Sequence, residues 1–159
     1  MDALVGTFLG AVLAIVGGIV AKSYDEWRAR KSLRAAFRAE VFSIMENFEL
    51  RGHDRMFEDL IRQWKQYAKL KPRLLGSLEK PVDPIFSKNS DKIGLLGRDV
   101  AGELVRFYAI ADGIREDIKI LGDGEMDHLS GETKVRLMEA DLKLLGEAKE
   151  IAAELSRKL

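Results

Sequence analysis

The chain has 159 residues, of which 26 are basic and 26 acidic, so its formal net charge is zero. This balance excludes the strongly basic composition typical of a nucleic-acid-binding domain, and the absence of cysteine excludes disulfides and cysteine metal sites. Only three prolines and many Ala, Leu, Glu, Lys and Arg residues favour an all-α fold.

The N-terminal run 3–21 contains nineteen residues without a charge or a proline. At about 1.5 Å per residue, a helix of that length spans roughly the hydrocarbon core of a bilayer. A cleaved signal peptide is a weaker interpretation, because only Met1 and Asp2 precede the run and a basic segment is missing. A buried soluble helix would usually be shorter or have a polar face. We therefore predict a transmembrane anchor over residues 1–22.

Small residues recur every four positions in this run, at Gly6, Gly10, Ala14 and Gly18. This spacing places them on one helix face, where two helix backbones can approach closely. The pattern predicts self-association or packing against a partner helix. The alternative is that glycine and alanine are simply common in membrane helices.

Basic residues follow the run, at Lys22, Arg28, Arg30, Lys31, Arg34 and Arg38. Lys and Arg stay on the cytoplasmic side, so we expect the N-terminus outside and the remaining chain, residues 23–159, in the cytoplasm. Tyr24 and Trp27 stand where aromatic rings favour the membrane interface. We predict interface positions at Lys22, Tyr24, Trp27, Arg28, Arg30 and Lys31. Membrane lipid is then a partner, although the favoured interpretation of the basic stretch itself is that it is only a stop signal.

Apolar residues continue at helical spacing after the anchor, with no helix breaker before Gly52. One continuous helix out of the bilayer is the simplest interpretation. A second helix should begin near His53 and reach about Leu70, where Pro72 stops it. The proline- and glycine-containing stretch 71–84 predicts a loop.

The C-terminal half predicts a short helix or two turns over 85–96, then two long helices. Asp99 suits the start of the first long helix, and the sequence 122–124, Gly-Asp-Gly, ends it. Ser130 can cap the last helix. No stretch shows the sustained alternation of apolar and polar residues that is typical of a β-strand. The predicted fold is all-α: one membrane helix that continues into a cytoplasmic antiparallel bundle of about four helices.

The stretch 84–108, PIFSKNSDKIGLLGRDVAGELVRFY, resembles a segment of small uncharacterised bacterial proteins with one N-terminal membrane helix. The resemblance is carried by Ile85, Phe86, Asn89, Ile93, Gly94, Leu95, Leu96, Val105, Phe107 and Tyr108. It implies a helical domain and a bacterial source, hence the bacterial inner membrane, and no reaction or ligand. From the residues alone, the 89–91 stretch, Asn-Ser-Asp, indicates caps or turns, with a polar contact site as the alternative.

The sequence contains no strong motif for catalysis or for binding a metal or cofactor. The two histidines, His53 and His128, have neighbouring carboxylates but no spacing typical of a metal site. The chain has no phosphate-binding loop and no nucleophile elbow. Four aromatic residues at helical spacing predict core rather than a cofactor site: Trp64, Tyr67, Phe107 and Tyr108. We predict no catalytic, cofactor-binding or metal-binding residue and no small-molecule substrate.

These patterns favour a non-enzymatic, single-pass membrane protein that acts by contact, through homo-oligomers or a partner membrane protein. The first alternative is an accessory subunit of a larger membrane complex, for transport, secretion or a phage-related process. The second alternative is an enzyme with an unfamiliar site, which a buried cluster of Asp, Glu and His would favour.

Overall fold

The computed structural model describes residues 2–67 and 83–159, and it describes side chains from Leu13 onward. Within these ranges the chain forms five α-helices and no strand, which confirms the all-α prediction. The helices are α1 (Asp2–Leu50), α2 (His53–Gln66), α3 (Pro84–Asn89), α4 (Arg98–Gly122) and α5 (Gly131–Lys158). Two 3₁₀ helices, Ser90–Leu96 and Glu125–His128, complete the connections.

Two predictions fall mainly outside the described residues. The predicted loop 71–84 lies almost entirely within residues 68–82. The prediction that the second helix reaches about Leu70 is wrong, because α2 ends at Gln66 and Tyr67 leaves the helical conformation with φ −136° and ψ 82°. Of the small-residue face, Gly6 and Gly10 lie where side chains are not described.

Helix α1 is continuous over 49 residues, or about 73 Å, as the uninterrupted apolar spacing predicts. Its side chains from 13 to 32 are all exposed, and its packing against the other helices begins at Leu33. Across the part of the chain that the structure describes, no helical stretch combines the length and the apolar character needed to cross a bilayer.

Gly52 separates α1 from α2, as predicted, and it has φ +61°, a left-handed conformation that favours glycine. The two helices follow each other in nearly the same direction along α5. At the start of α2, Asp54 lies 3.4 Å from Lys149 of α5. At its end, Lys65 lies 2.8 Å from Glu139, ten residues earlier in α5. Helix α2 is therefore antiparallel to α5.

The last part of α1 is antiparallel to α5 as well. Phe42 lines one groove with Ser156 and Leu159, whereas Glu49 lines another with Asp54 and Lys149. Because α5 has 28 residues, about 42 Å, it can cover α1 and α2 in succession. Helix α4 packs beside α5 in the opposite direction, with Glu103 paired to Lys158 and Arg106 to Glu147. It contacts α1 through the hydrogen bond from Tyr108 to Glu40.

The helical bundle of the prediction is thus present, but its arrangement differs in one respect. In cross-section the bundle has three helix positions instead of four. Helices α1 and α2 lie one after the other along α5 instead of side by side as a hairpin. The reason is local: two residues, Arg51 and Gly52, redirect the chain without reversing it, and α5 is long enough to receive both helices.

The core of the bundle is built from aromatic and aliphatic side chains of all four long helices. The largest fully buried side chains include Phe37, Phe57, Trp64, Leu104, Phe107, Ile114, Met138 and Leu155. The prediction that Tyr67 is a core residue is wrong, because its side chain is 65% exposed at the end of α2. Ser130 caps α5 as predicted, accepting a hydrogen bond from the Thr133 amide at 3.2 Å.

Candidate contact surface

Ala14 and Gly18, the described residues of the predicted membrane-packing face, lie on a part of α1 that no other described helix covers. Ala14 and Gly18 are exposed, and a Cβ atom added at Gly18 would meet nothing within 4 Å. The helix backbone is therefore open to a neighbour at this point, as close helix packing requires.

The predicted interface residues are all exposed on the following turns of α1. The rings of Tyr24 and Trp27 lie 5.9 Å apart, and Lys31 Nζ lies 5.4 Å from the centre of the Trp27 ring. Arg30 forms an exposed ion pair with Glu26 at 3.6 Å. Trp27 and Lys31 thus form one aromatic-cationic surface rather than separate side chains.

A groove of about 890 Å³ runs between this part of α1 and the C-terminal end of α5. We call it the basic groove. Its α1 wall carries Arg30, Lys31, Arg34 and Arg38, and Ser156 and Leu159 close the α5 side. Four basic and no acidic side chains line it, and of the four only Arg30 forms an ion pair with a described residue, Glu26, so the lining side chains carry a net positive charge.

A second groove of about 490 Å³ continues the first one away from the N-terminus, and the two share Phe42 and Ser156. We call it the distal groove. Its walls carry Glu46, Glu49 and Lys149, and its floor includes the small residues Ala152 and Ala153. Because Lys149 is paired with Asp54 at 3.4 Å, the two glutamates leave this groove net acidic. Phe42, at the junction, is 65% exposed. The joined surface is therefore basic at one end, aromatic in the middle and acidic at the other end.

Glu40 is the most extensively bonded buried polar side chain among the described residues. Its carboxylate accepts hydrogen bonds from the Ile85 amide at 2.7 Å, the Phe86 amide at 2.9 Å and the Tyr108 hydroxyl at 2.6 Å. The two amides belong to the first turn of α3, whose N–H groups have no partner within the helix. Burial and the neighbouring Glu40 carboxylate raise the pKa of Tyr108 above its usual value. Glu40 therefore joins α1, α3 and α4.

Two carboxyl groups meet between α4 and α5. Asp141 is buried, and burial together with the neighbouring Asp117 raises its pKa to about 7. A second negative charge beside the Asp117 carboxylate is unfavourable, so Asp141 keeps its proton up to near neutral pH. The Asp141 Oδ2 atom has no hydrogen-bond partner. Neither aspartate lines the grooves described above, so nothing presents this pair to a substrate there.

The two histidines lie apart. His53 is buried, donates from Nδ1 to the Phe48 carbonyl at 3.2 Å, and has a pKa lowered by burial. His128 is exposed in the second 3₁₀ helix. Among the described residues, no group of three or more His, Cys, Asp or Glu side chains is arranged to hold a metal ion.

The polar residues that the sequence interpretation missed lie on apolar faces. Glu40 follows Phe37 by three residues and precedes Ile44 by four, so helical spacing alone places it among core positions. Asp141 stands three residues after Met138 and four before Leu145. A charged residue within an apolar stripe was the available signal. The α5 side of both grooves had no such signal, because it depends on how α5 packs on α1.

The comparisons with known proteins add no relative: no protein-family model, no curated protein and no solved structure matches this chain.

Proposed function

We propose that this protein is a non-enzymatic, single-pass membrane protein that acts by contact, with its bundle held close to the bilayer. The observation that carries the proposal is the form of α1. One unbroken helix includes the apolar run and then contributes five side chains, from Leu33 to Met45, to the core of the bundle. Anchor and bundle would then move as one body.

The apolar surface of α1 supports a lipid environment. Leu13, Ile15, Ile19 and Val20 are each more than 60% exposed, and no other described helix covers them. Burial of such a side chain contributes about 1.5–3 kcal/mol, so these four positions together favour burial by on the order of 10 kcal/mol. A bilayer supplies that burial without another protein.

The charge distribution supports one orientation. All six basic residues from Lys22 to Arg38 are exposed, and all of them lie on the C-terminal side of the apolar run. The positive-inside rule then places the N-terminus outside and the bundle in the cytoplasm, at the inner membrane if the source is bacterial.

A second candidate function is that of an accessory subunit in a larger membrane complex, and the distal groove favours it. A second copy anchored in the same membrane would run parallel, so each acidic groove wall would meet the same acidic wall of its neighbour. A different protein with basic and apolar groups would fit Glu46, Glu49 and Phe42 better. Self-association would then use the small-residue face of the anchor instead.

Membrane fractionation tests the proposal. The full-length chain should remain in the membrane pellet after alkaline carbonate extraction, and the double substitution I15K/I19K should release most of it. The control pair F42K/L50K changes two similarly exposed apolar residues of the bundle and should leave the chain in the pellet. A wild-type chain in the soluble fraction would refute the anchor. Digestion of the bundle by protease added to intact spheroplasts would refute the orientation.

A further inference from the structure

The basic groove combines features that indicate one class of ligand. Its volume of about 890 Å³ is within the range of small-molecule sites, and its open lining is cationic. Arg34 and Arg38 form no ion pair with any described residue, so their charge is not neutralised locally. Trp27 stands at the end nearest the anchor. A compact anion on an apolar body would satisfy both the cations and the aromatic ring.

The groove also has a defined height above the apolar run. Trp27 is six residues past Ala21, or about 9 Å along the helix, and Arg34 is about 20 Å along it. Side chains of a helix lean toward its N-terminus, so Lys31 and Arg34 reach back several ångströms toward the bilayer. Headgroups extend roughly 5–8 Å beyond the hydrocarbon core, and the field of a charged surface extends about 8 Å further.

We propose that the basic groove binds the headgroup of an anionic phospholipid from the leaflet next to the bundle. This rests on the membrane anchoring proposed above. Lys31 reaches toward the phosphate, Arg34 and Arg38 add attraction through the field of the surface, and Trp27 packs on the glycerol and upper acyl region. An acidic protein segment is less favoured, because the Trp27 end of the groove lies at the depth of the headgroups themselves.

The test uses the full-length chain in nanodiscs of equal parts phosphatidylcholine and phosphatidylglycerol. After transfer to mild detergent, native mass spectrometry counts the lipids that remain bound. We expect phosphatidylglycerol to be retained over phosphatidylcholine by on the order of tenfold. The groove variant K31Q/R34Q should reduce this preference to about the bulk ratio. Excess inorganic phosphate should not displace the lipid.

A matched control separates a site from diffuse attraction. The pair K22Q/R28Q removes the same charge at positions closer to the membrane and outside the groove. It should keep at least half of the preference. Equal losses in both variants, no preference in the wild type, or displacement by phosphate would overturn the lipid site. If the wild type enters nanodiscs without lipid preference, the anchor stands and the site is refuted. Failure to enter nanodiscs would instead refute the anchor.

Discussion

At the scale of single residues, Glu40 accepts more hydrogen bonds than any other buried side chain in the described core. Its carboxylate accepts from two backbone amides and one hydroxyl on different elements. A buried donor left without its partner costs about 1–3 kcal/mol. Loss of this side chain leaves three such donors, two of them at the start of a short helix that has no side-chain cap of its own.

We therefore expect Glu40→Ala to lower the free energy of unfolding by about 3–5 kcal/mol. Urea denaturation of the full-length chain, followed by circular dichroism in a neutral detergent, measures the change. Glu46→Ala removes the same group from an exposed position on the same helix and should change stability by less than about 0.5 kcal/mol. Similar effects of both substitutions would show that the Glu40 bonds contribute little.

The Asp117–Asp141 pair gives the bundle a dependence on pH. Because the folded-state pKa of Asp141 is raised to about 7 from an ordinary value of 3.8, the folded chain keeps a proton that the unfolded chain releases. The contribution of Asp141 to the free energy of unfolding is therefore fully present below about pH 4 and decreases as pH rises toward 7.

Asp141→Asn should remove this dependence. The amide stays neutral and can still bond to Asp117, so the variant should be more stable than the wild type by about 1–3 kcal/mol at pH 8. The two should have similar stability near pH 4. Thermal denaturation across this range measures the difference. Asp123→Asn, at an exposed position after α4, should shift no part of the profile. A constant offset between Asp141→Asn and the wild type would refute the raised pKa of Asp141.

At the scale of elements, the helix limits set by glycine or by a side-chain cap were predictable, because they depend on local chemistry, whereas the end of α2 at Gln66 was not predicted. Gly52, the Gly-Asp-Gly sequence at 122–124 and Ser130 each mark a helix limit as predicted. The burial of Glu40 and Asp141 was not predicted, because their partners come from helices distant in sequence. The exposure of Tyr67 also depends on tertiary packing, since it follows the spacing of core residues yet lies past the last turn of α2.

Glycine substitutions test whether the junction between α1 and α2 depends on the left-handed conformation. Gly52→Ala should destabilise the chain by about 1–2 kcal/mol, because φ +61° strains any residue with a Cβ atom. Gly113→Ala and Gly146→Ala lie inside α4 and α5 with open space around the added atom, so each should stabilise by about 0.5–1 kcal/mol. Equal effects at all three positions, measured by urea denaturation, would contradict a special role for Gly52.

At the scale of the whole molecule, the spacing of apolar residues predicted a helical bundle. It did not predict that α1 and α2 lie one after the other along α5. The spacing of apolar residues indicates that each helix has an apolar face, but it does not indicate which helices pack against each other. The pairing of α1 and α2 with successive halves of α5 depends on contacts such as Asp54 with Lys149, across 95 residues of sequence. The grooves exist only because of this pairing, so no local pattern could have indicated them.

Assembly of the whole molecule is expected to depend on the small-residue face of the anchor, because the acidic and basic groove walls would repel the same walls of a parallel copy. Gly10→Leu places a large side chain on that face and should weaken self-association in mild detergent by at least about tenfold, or about 1.4 kcal/mol. Val12→Phe adds bulk two positions later, on the opposite side of the helix, and should leave association nearly unchanged. Analytical ultracentrifugation of full-length chains measures both. A wild type that is monomeric at all concentrations would contradict the role of this face, and the contact function would then require a different protein as partner.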